Sequence, residues 1–233
     1  CYGCHTVDGF AGDIRQKYRG DLASLAPPIL DGEGAKTQPG WLFDFLKNVK
    51  SLRPWLKVRM PTFSFSDEEA TALVGMFSAL DHAEYPYRDY SGLSLAGERR
   101  DLAQRVLGEL KCLQCHLAGP RPLTPSEAAS AAPDLSMARQ RLRAEWIVSW
   151  LKNPNALMPG TRMPGFFGYG ANPLANILAQ PDGPAKFRGL EKLAHESATP
   201  AATMELLRDH VMSLGQAGGV SGSAAPSPNS RKA

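Results

Sequence analysis

The sequence predicts an all-α protein that consists of two tandem helical domains with long ordered loops. Apolar residues recur at helical spacing in several segments, and no segment alternates apolar and polar residues convincingly enough to indicate strands. The 19 proline and 22 glycine residues favour short helices joined by structured loops. The third observation is an internal repeat, which divides the 233 residues into two units.

Five helices are predicted along the chain. The second begins at Ser66, a capping residue that three acidic side chains follow in the first turn. The third leads into the second cysteine pair, because Leu95, Leu102 and Val106 fall at roughly helical spacing. The five predicted helices cover 39–49, 66–81, 95–111, 143–152 and 201–214.

Five sequence features occur in the same order in both halves. The first half reads CYGCH, APPIL, GWLFDFLKN, VRMPTF and a helix that ends in MFSAL. The second half reads CLQCH, APDLS, EWIVSWLKNP, TRMPGF and a helix that ends in HVMSL. We therefore predict two homologous domains, 1–81 and 95–214, and a linker, 82–94, that is rich in turn formers and aromatic residues.

Two segments have no counterpart in this repeat. Residues 165–200 lie between TRMPGF and the last helix, and an insertion of this length either faces a partner or is a decorative loop. Residues 215–233 consist mainly of Gly, Ala, Ser and Pro, which bury too little apolar surface to fold. The second of these segments is therefore predicted to be a flexible tail.

The four cysteines carry the main chemical signal. They form two pairs, and a histidine follows each pair at once: Cys1, Cys4 and His5, then Cys112, Cys115 and His116. A Cys-X-X-Cys-His string suits thioether bonds from both sulfurs to the vinyl groups of one haem, with the histidine as the proximal iron ligand. Two such strings, each at the head of a repeated unit, predict two covalently bound c-type haems.

Two other uses of paired cysteines fit less well. A zinc ribbon has its pairs about 15 to 20 residues apart, whereas more than 100 residues separate the pairs here. A thioredoxin-like redox pair lies in a strand–helix setting, and the sequence shows no such setting.

Two methionines are the candidate sixth ligands of the irons. Met60 and Met163 each stand in an Arg-Met-Pro triplet at similar distances after the haem histidines. A thioether favours ferrous iron and raises its potential, and the proline that follows stiffens the loop. The alternatives are that methionine is core filler, that Met158 takes the place of Met163, or that a histidine serves as the ligand. The histidines that remain are His82, His195 and His210.

Over 1–81 and 95–214 the chain resembles class I cytochrome c in a tandem dihaem form. In that family a loop proline presents its carbonyl to the proximal histidine, and Pro28 in PPIL and Pro133 in PDL match this motif. The family's approach to its methionine is similar to PGTRMPGF, which favours Met163 over Met158. The first unit departs from this approach, because it reads PWLKVRMPTF.

The resemblance also suggests roles for four further residues. Trp41 and Trp146 open the helix before each methionine loop and are expected to be buried, either as a wall of the haem crevice or as core aromatics. Arg59 and Arg162 either pair with haem propionates or are solvated.

The expected function is electron transfer without catalysis. Two haems with His/Met ligation would pass single electrons between redox partners, such as a quinol-oxidising complex, an oxidase or another cytochrome. The setting would be a membrane-associated respiratory or photosynthetic complex, in the periplasm or at the outer face of the cytoplasmic membrane. The alternative is a dihaem peroxidase, which needs one open or displaceable sixth site.

Charge and hydropathy bear on whether the chain binds nucleic acid or a membrane. A net charge of +3, with one basic concentration at Arg139, Arg141 and Arg143, does not indicate nucleic-acid binding. The sequence has no run of about 18 apolar residues and no signal peptide pattern. A helix is predicted before CLQCH but nothing precedes CYGCH, so we expect that an N-terminal helix of the first domain lies upstream. Membrane association would then come through partner subunits or through that missing N-terminal segment.

Overall fold

A computed structural model of the chain describes residues 1–53, 55–83, 90, 93 and 95–216. The structure is 55% helix and 3% strand, which confirms the all-α prediction. Most of the predicted linker and of the predicted tail, 84–89, 91, 92, 94 and 217–233, lies outside the described residues. Among the helices that are described, none has both the length and the apolar character that a bilayer crossing requires.

The helices fall into two groups along the chain. In the N-terminal half, residues 1–83, they are α1 Asp13–Lys17, α2 Glu33–Lys36, α3 Pro39–Lys47 and α4 Asp67–Leu80. In the C-terminal half, residues 95–216, they are α5 Gly97–Glu109, α6 Pro125–Ala128, α7 Ala138–Arg141, α8 Ala144–Lys152, α9 Pro154–Leu157, α10 Pro173–Leu178, α11 Gly183–Lys186, α12 Glu191–Glu196 and α13 Pro200–Ser213. Short 3₁₀ helices cover Gly20–Leu25, Cys112–Gln114, Leu135–Met137, Gly168–Gly170 and Leu214–Gln216.

The five predicted helices are α3, α4, α5, α8 and α13, and each predicted end lies within two residues of the observed one. The start of α4 has the predicted cap. The Ser66 hydroxyl accepts a hydrogen bond from the Glu69 backbone N–H at 3.2 Å, and the Glu69 carboxylate accepts one from the Ser66 N–H at 2.8 Å. This reciprocal pair satisfies two helix-end donors.

One short hairpin escaped the sequence analysis. Strand β1, Thr6–Val7, pairs antiparallel with strand β2, Phe10–Ala11. The two residues between them, Asp8 and Gly9, both have positive φ, at 52° and 74°. Asp-Gly is the dipeptide that a two-residue type I′ turn prefers, so the letters VDGF carried a signal that a search for longer alternating strands missed.

The apolar core is divided between the halves. Leu42, Leu46, Val74 and Phe77 form one cluster in the N-terminal half, where α3 and α2 pack on α4. In the C-terminal half α13 packs on α5 and α8. Two of the three clusters of buried residues lie entirely within one half. The third cluster combines Tyr90 of the predicted linker with residues of the C-terminal half.

The insertion 165–200 belongs to the core of the C-terminal half. It forms α10, α11 and α12, and Leu174 and Phe187 are fully buried in the same cluster as Leu102 and Leu206 of α5 and α13. Of its two interpretations, the decorative loop is therefore wrong. Its apolar side chains pack against α5.

The two halves meet along a seam, which we define as residues 36–38 and 141–143. Thr37 and Leu142 stand four residues before Trp41 and Trp146 in the two copies of the repeat, and they form an antiparallel bridge with each other. The flanking hydrogen bonds are reciprocal. The Gln38 N–H donates to the Arg141 carbonyl at 2.8 Å, and the Arg143 N–H donates to the Lys36 carbonyl at 2.9 Å. Equivalent residues thus pair across a local pseudo-twofold axis.

Gly34 of α2 allows the close approach that positions this seam. A Cβ atom at Gly34 would lie 2.2 Å from the Phe77 carbonyl oxygen at the end of α4. The Gly34 N–H donates to the Asp81 carboxylate at 2.7 Å, and the Gly34 carbonyl accepts from Arg143 Nε at 2.9 Å. The backbone of α2 is therefore held on both sides at this residue.

Gly34→Ala is expected to lower the free energy of unfolding by about 1–3 kcal/mol, because the added methyl group has no space between α2 and α4. Chemical denaturation measures the change. Gly75→Ala in the middle of α4 is the matched control, since its Cβ would meet nothing within 4 Å and the helix would gain up to about 1 kcal/mol. Equal stability of the two variants would contradict the packing described here.

Candidate functional site

Each Cys-X-X-Cys-His string forms one backbone turn. The His5 N–H donates to the Cys1 carbonyl at 2.9 Å, and the His116 N–H donates to the Cys112 carbonyl at 3.0 Å. The turns have the same pattern although the residues between their cysteines differ, Tyr-Gly in one and Leu-Gln in the other. The turn therefore belongs to the repeated plan.

Each of the two histidines makes the same hydrogen bond. His5 Nδ1 lies 2.7 Å from the Pro28 carbonyl oxygen, and His116 Nδ1 lies 2.7 Å from the Pro133 carbonyl oxygen. A carbonyl oxygen can only accept, so Nδ1 carries the proton and the neutral ring keeps a lone pair on Nε2. Within the described part of the chain, Nε2 of neither ring has a hydrogen-bond partner.

Burial favours the neutral form of both rings. The pKa of His5 and the pKa of His116 are lowered from the usual histidine value, chiefly because burial disfavours the charged imidazolium. Since a metal ligand must be the neutral imidazole, each ring is held in the tautomer and the charge state that a metal bond at Nε2 requires.

In each half, a backbone hydrogen bond also joins the proline loop to the residue that follows the histidine of the Cys-X-X-Cys-His string. The Leu30 N–H donates to the Thr6 carbonyl at 2.9 Å, and the Leu135 N–H donates to the Leu117 carbonyl at 2.8 Å. Thr6 and Leu117 directly follow the two histidines. The Pro-X-Leu segment therefore runs beside its motif in both halves, and this explains why Pro28 and Pro133 reach the rings.

The thiols are free in all four cysteines. Cys1 and Cys115 are exposed, while Cys4 and Cys112 are partly buried. Burial raises the pKa of the Cys112 thiol to about 11. The thiolate is the form that binds zinc and attacks disulfides, so burial makes the Cys112 thiol less ready for either reaction. In the described residues no three His, Cys, Asp or Glu side chains form a group that could hold a metal ion.

Met60 lies against the core of the N-terminal half. It is partly buried and packs on the cluster formed by Leu42, Leu46, Val74 and Phe77. Trp41 packs on the same cluster and stacks on Phe45 with the ring centroids 4.9 Å apart.

Met163 has a closer contact with the equivalent aromatic pair. Trp150 Nε1 donates a hydrogen bond to Met163 Sδ at 2.7 Å, and Trp150 stacks on Trp146 with centroids 5.0 Å apart. Trp150 takes the place of Phe45 in the repeat. The described residues give the Met158 side chain no comparable polar contact.

The tryptophans and arginines lie partly where they were expected. Trp41 and Trp146 are in the first turns of α3 and α8, and the expected burial is only partial. Both rings lie beside the seam, where each contacts a cationic side chain of the other half, so only part of each ring packs on apolar core residues. Arg59 is exposed, and Arg162 lies over the ring of Trp55 with 4.4 Å between Cζ and the centroid.

The contacts of Trp55, Arg53 and Arg141 at and beside the seam were not predicted from the sequence. Trp55 Nε1 donates to the Ala131 carbonyl across the halves at 2.9 Å. Arg53 lies over the same ring, and Arg141 lies over Trp41. The departure of PWLKVRMPTF from the pattern of the second copy was the available signal, because it brings Trp55 between the halves.

The remaining histidines do not form a repeated set. His82 and His195 are exposed, whereas His210 is buried and its Nδ1 has no hydrogen-bond partner among the described residues. Comparison of the chain with protein-family models, with curated proteins and with solved structures finds no match in any of the three.

Proposed function

We propose that this chain is a dihaem c-type cytochrome that passes single electrons between redox partners. The observation that carries the proposal is the pair of identical histidine settings. His5 and His116 each donate Nδ1–H to a proline carbonyl at 2.7 Å, directly after two free thiols, with Nε2 left unused by the described residues. Two copies of this arrangement match the donors that two covalent haems need.

The residues of the chain would divide the work as follows. Cys1, Cys4, Cys112 and Cys115 would form the thioether bonds, and each haem iron, once bound, would supply a one-electron redox couple. The proline carbonyls orient the imidazoles and increase their donation toward a metal.

The two methionines would occupy the sixth ligand position. A thioether is a weak donor, so Met60 and Met163 would favour the ferrous state and give a high potential. Because the Arg-Met-Pro triplet is present in both halves, both sites would be closed to small molecules. An electron carrier needs this closure, and a peroxidase does not.

The biological setting follows from the chemistry of attachment and from the family resemblance. Haem is attached to such motifs outside the cytoplasm, so the periplasm or the outer face of the cytoplasmic membrane is the proposed location. The partners would be a quinol-oxidising complex, an oxidase or another cytochrome, and the chain would act as a subunit or domain of a membrane-associated complex.

Mass spectrometry of the protein purified after expression with a c-type haem maturation system tests the proposal. We expect the intact mass to exceed the polypeptide mass by that of two haems, and both haems to stay attached in acid and organic solvent. Zinc in place of haem, or a polypeptide mass with disulfides, would contradict the proposal.

Trp150→Phe is expected to lower the potential of the haem in the C-terminal half. Loss of the N–H donor leaves the Met163 sulfur more electron-rich, which favours ferric iron by about 1 kcal/mol, the net size of one hydrogen bond. Spectroelectrochemistry measures the shift. The haem of the N-terminal half is the internal control, since Phe45 already stands at the equivalent position, and an equal shift of both haems would refute the assignment.

A further inference from the structure

At the seam, one cationic side chain of each half lies over a tryptophan ring of the other half. Lys36 Nζ of the N-terminal half lies 6.0 Å from the ring centroid of Trp146. Arg141 Cζ of the C-terminal half lies 5.1 Å from the ring centroid of Trp41. Lys36 and Arg141 occupy equivalent positions, five residues before the tryptophan of their own half. The two cation–ring contacts between the halves are therefore equivalent.

These two tryptophans are connected to the candidate iron ligands. From Lys36 the contacts run to Trp146, from Trp146 to the stacked Trp150, and from the Trp150 N–H to Met163 Sδ. In the other half, Arg141 lies on Trp41, which shares its apolar cluster with Met60. Each cation thus lies beside the cofactor site of the opposite half.

Positive charge exceeds negative charge around Lys36 and Arg141 in the described part of the chain. Arg141 acts electrostatically on Lys36 and on Arg53, and Glu33 is the carboxylate that acts on Lys36 and Arg141. Glu33 pairs with Lys36 at 2.6 Å, and the Lys36 side chain is only 13% exposed. Three positive charges, those of Lys36, Arg53 and Arg141, therefore lie near the one carboxylate of Glu33, and their partial burial makes this excess unfavourable unless an anion joins them.

Arg141 is the least satisfied member of this group. Its Nε is buried without a hydrogen-bond partner among the described residues, and the rest of its guanidinium makes no hydrogen bond there. Burial lowers the pKa of Arg141, as it does that of Lys36. A guanidinium fork presents its donors in the geometry that a carboxylate accepts, so the open donors of Arg141 fit a carboxylate from outside the polypeptide.

We propose that the seam binds the propionate carboxylates of both haems, and that each half supplies a cation to the haem of the other. Arg141 serves the haem held by His5, and Lys36 serves the haem held by His116. This inference rests on the proposed function. The contact between the halves would then be part of each haem site. Changes in that contact would therefore change the reduction potentials of both haems.

The test uses the full-length, haem-loaded chain with Met163→His as the background. A histidine in place of methionine lowers the potential of the C-terminal haem, so the two waves separate and each can be assigned. On this background Arg141→Gln is expected to lower the higher wave, which belongs to the N-terminal haem. Lys36→Gln is expected to lower the other wave. Removing one nearby positive charge favours ferric iron, by about tenfold in the ratio of oxidised to reduced haem.

The controls separate the crossed arrangement from a general effect of charge or folding. Arg141→Lys keeps the charge and is expected to retain most of the unsubstituted potential, while Lys152→Gln on the exposed face of α8 should move neither wave. A larger effect of Arg141→Gln on the haem of its own half, equal shifts of both waves, or no shift would overturn the proposal. So would a wild-type potential that moves with phosphate concentration at constant ionic strength, because the seam would then hold a free anion. Absence of covalent haem would instead refute the proposed function itself.

Discussion

Replacement of Cys112 and Cys115 by alanine is expected to reduce the covalent haem content from two per chain to one. The two sulfurs of this turn are the proposed attachment points for the haem of the C-terminal half, and the two cysteines that remain, Cys1 and Cys4, belong to the other turn. The remaining haem should retain its His5 and Met60 ligands. Haem content per polypeptide, measured from the absorption of the alkaline pyridine complex and from the intact mass, gives the result.

The matched variant removes Cys1 and Cys4 instead. It should also carry one haem, and the spectra of the two single-haem variants should sum to that of the wild type, apart from effects that cross the seam. A Cys112→Ala/Cys115→Ala chain that still held two haems, or a wild type without any, would show that the cysteine pairs have another role.

Met163→Ala is expected to open the sixth position of the C-terminal haem. The variant should lose half of the red absorption band that methionine–Fe(III) ligation produces, and the potential of that haem should fall because a thioether no longer favours ferrous iron. It should also bind added imidazole at one haem per chain. Met60→Ala should have the same effects on the other haem.

Met158→Ala is the matched control for this experiment. Met158 precedes a proline five residues upstream of Met163, yet it lacks the contact with Trp150 that Met163 makes. The control should keep the full band. Loss of the band in Met158→Ala, or an unchanged spectrum in Met163→Ala, would move the sixth ligand to Met158 or to a histidine such as His210.

Local sequence signals predicted the helices and the repeated motifs well. The cap at Ser66 and the apolar spacing from Leu95 to Leu110 determine α4 and α5 through contacts within a few residues. The hairpin at Asp8 and Gly9 was equally local, but its strands are two residues long and show no alternation. Its signal was confined to the turn dipeptide.

The seam could not be derived from local patterns. The bridge between Thr37 and Leu142 joins positions far apart in the chain, and neither residue belongs to a strand whose alternation could be read. The same holds for Arg141, which in the sequence is one of three arginines in a basic run. Its importance comes from Trp41, a residue of the other half. Burial of the insertion 165–200 was unpredicted for a related reason, because Phe187 is buried in a cluster that includes distant residues of α5 and α13.

The most direct test of the central claim is a redox titration of the haem-loaded chain with absorption spectra recorded at each potential. We predict two one-electron waves, both at high potential, and a methionine–Fe(III) band with the intensity of two haems that disappears on reduction. A low-potential wave, or a band with the intensity of one haem, would contradict the assignment of Met60 and Met163 as a pair and would favour a peroxidase-like open site.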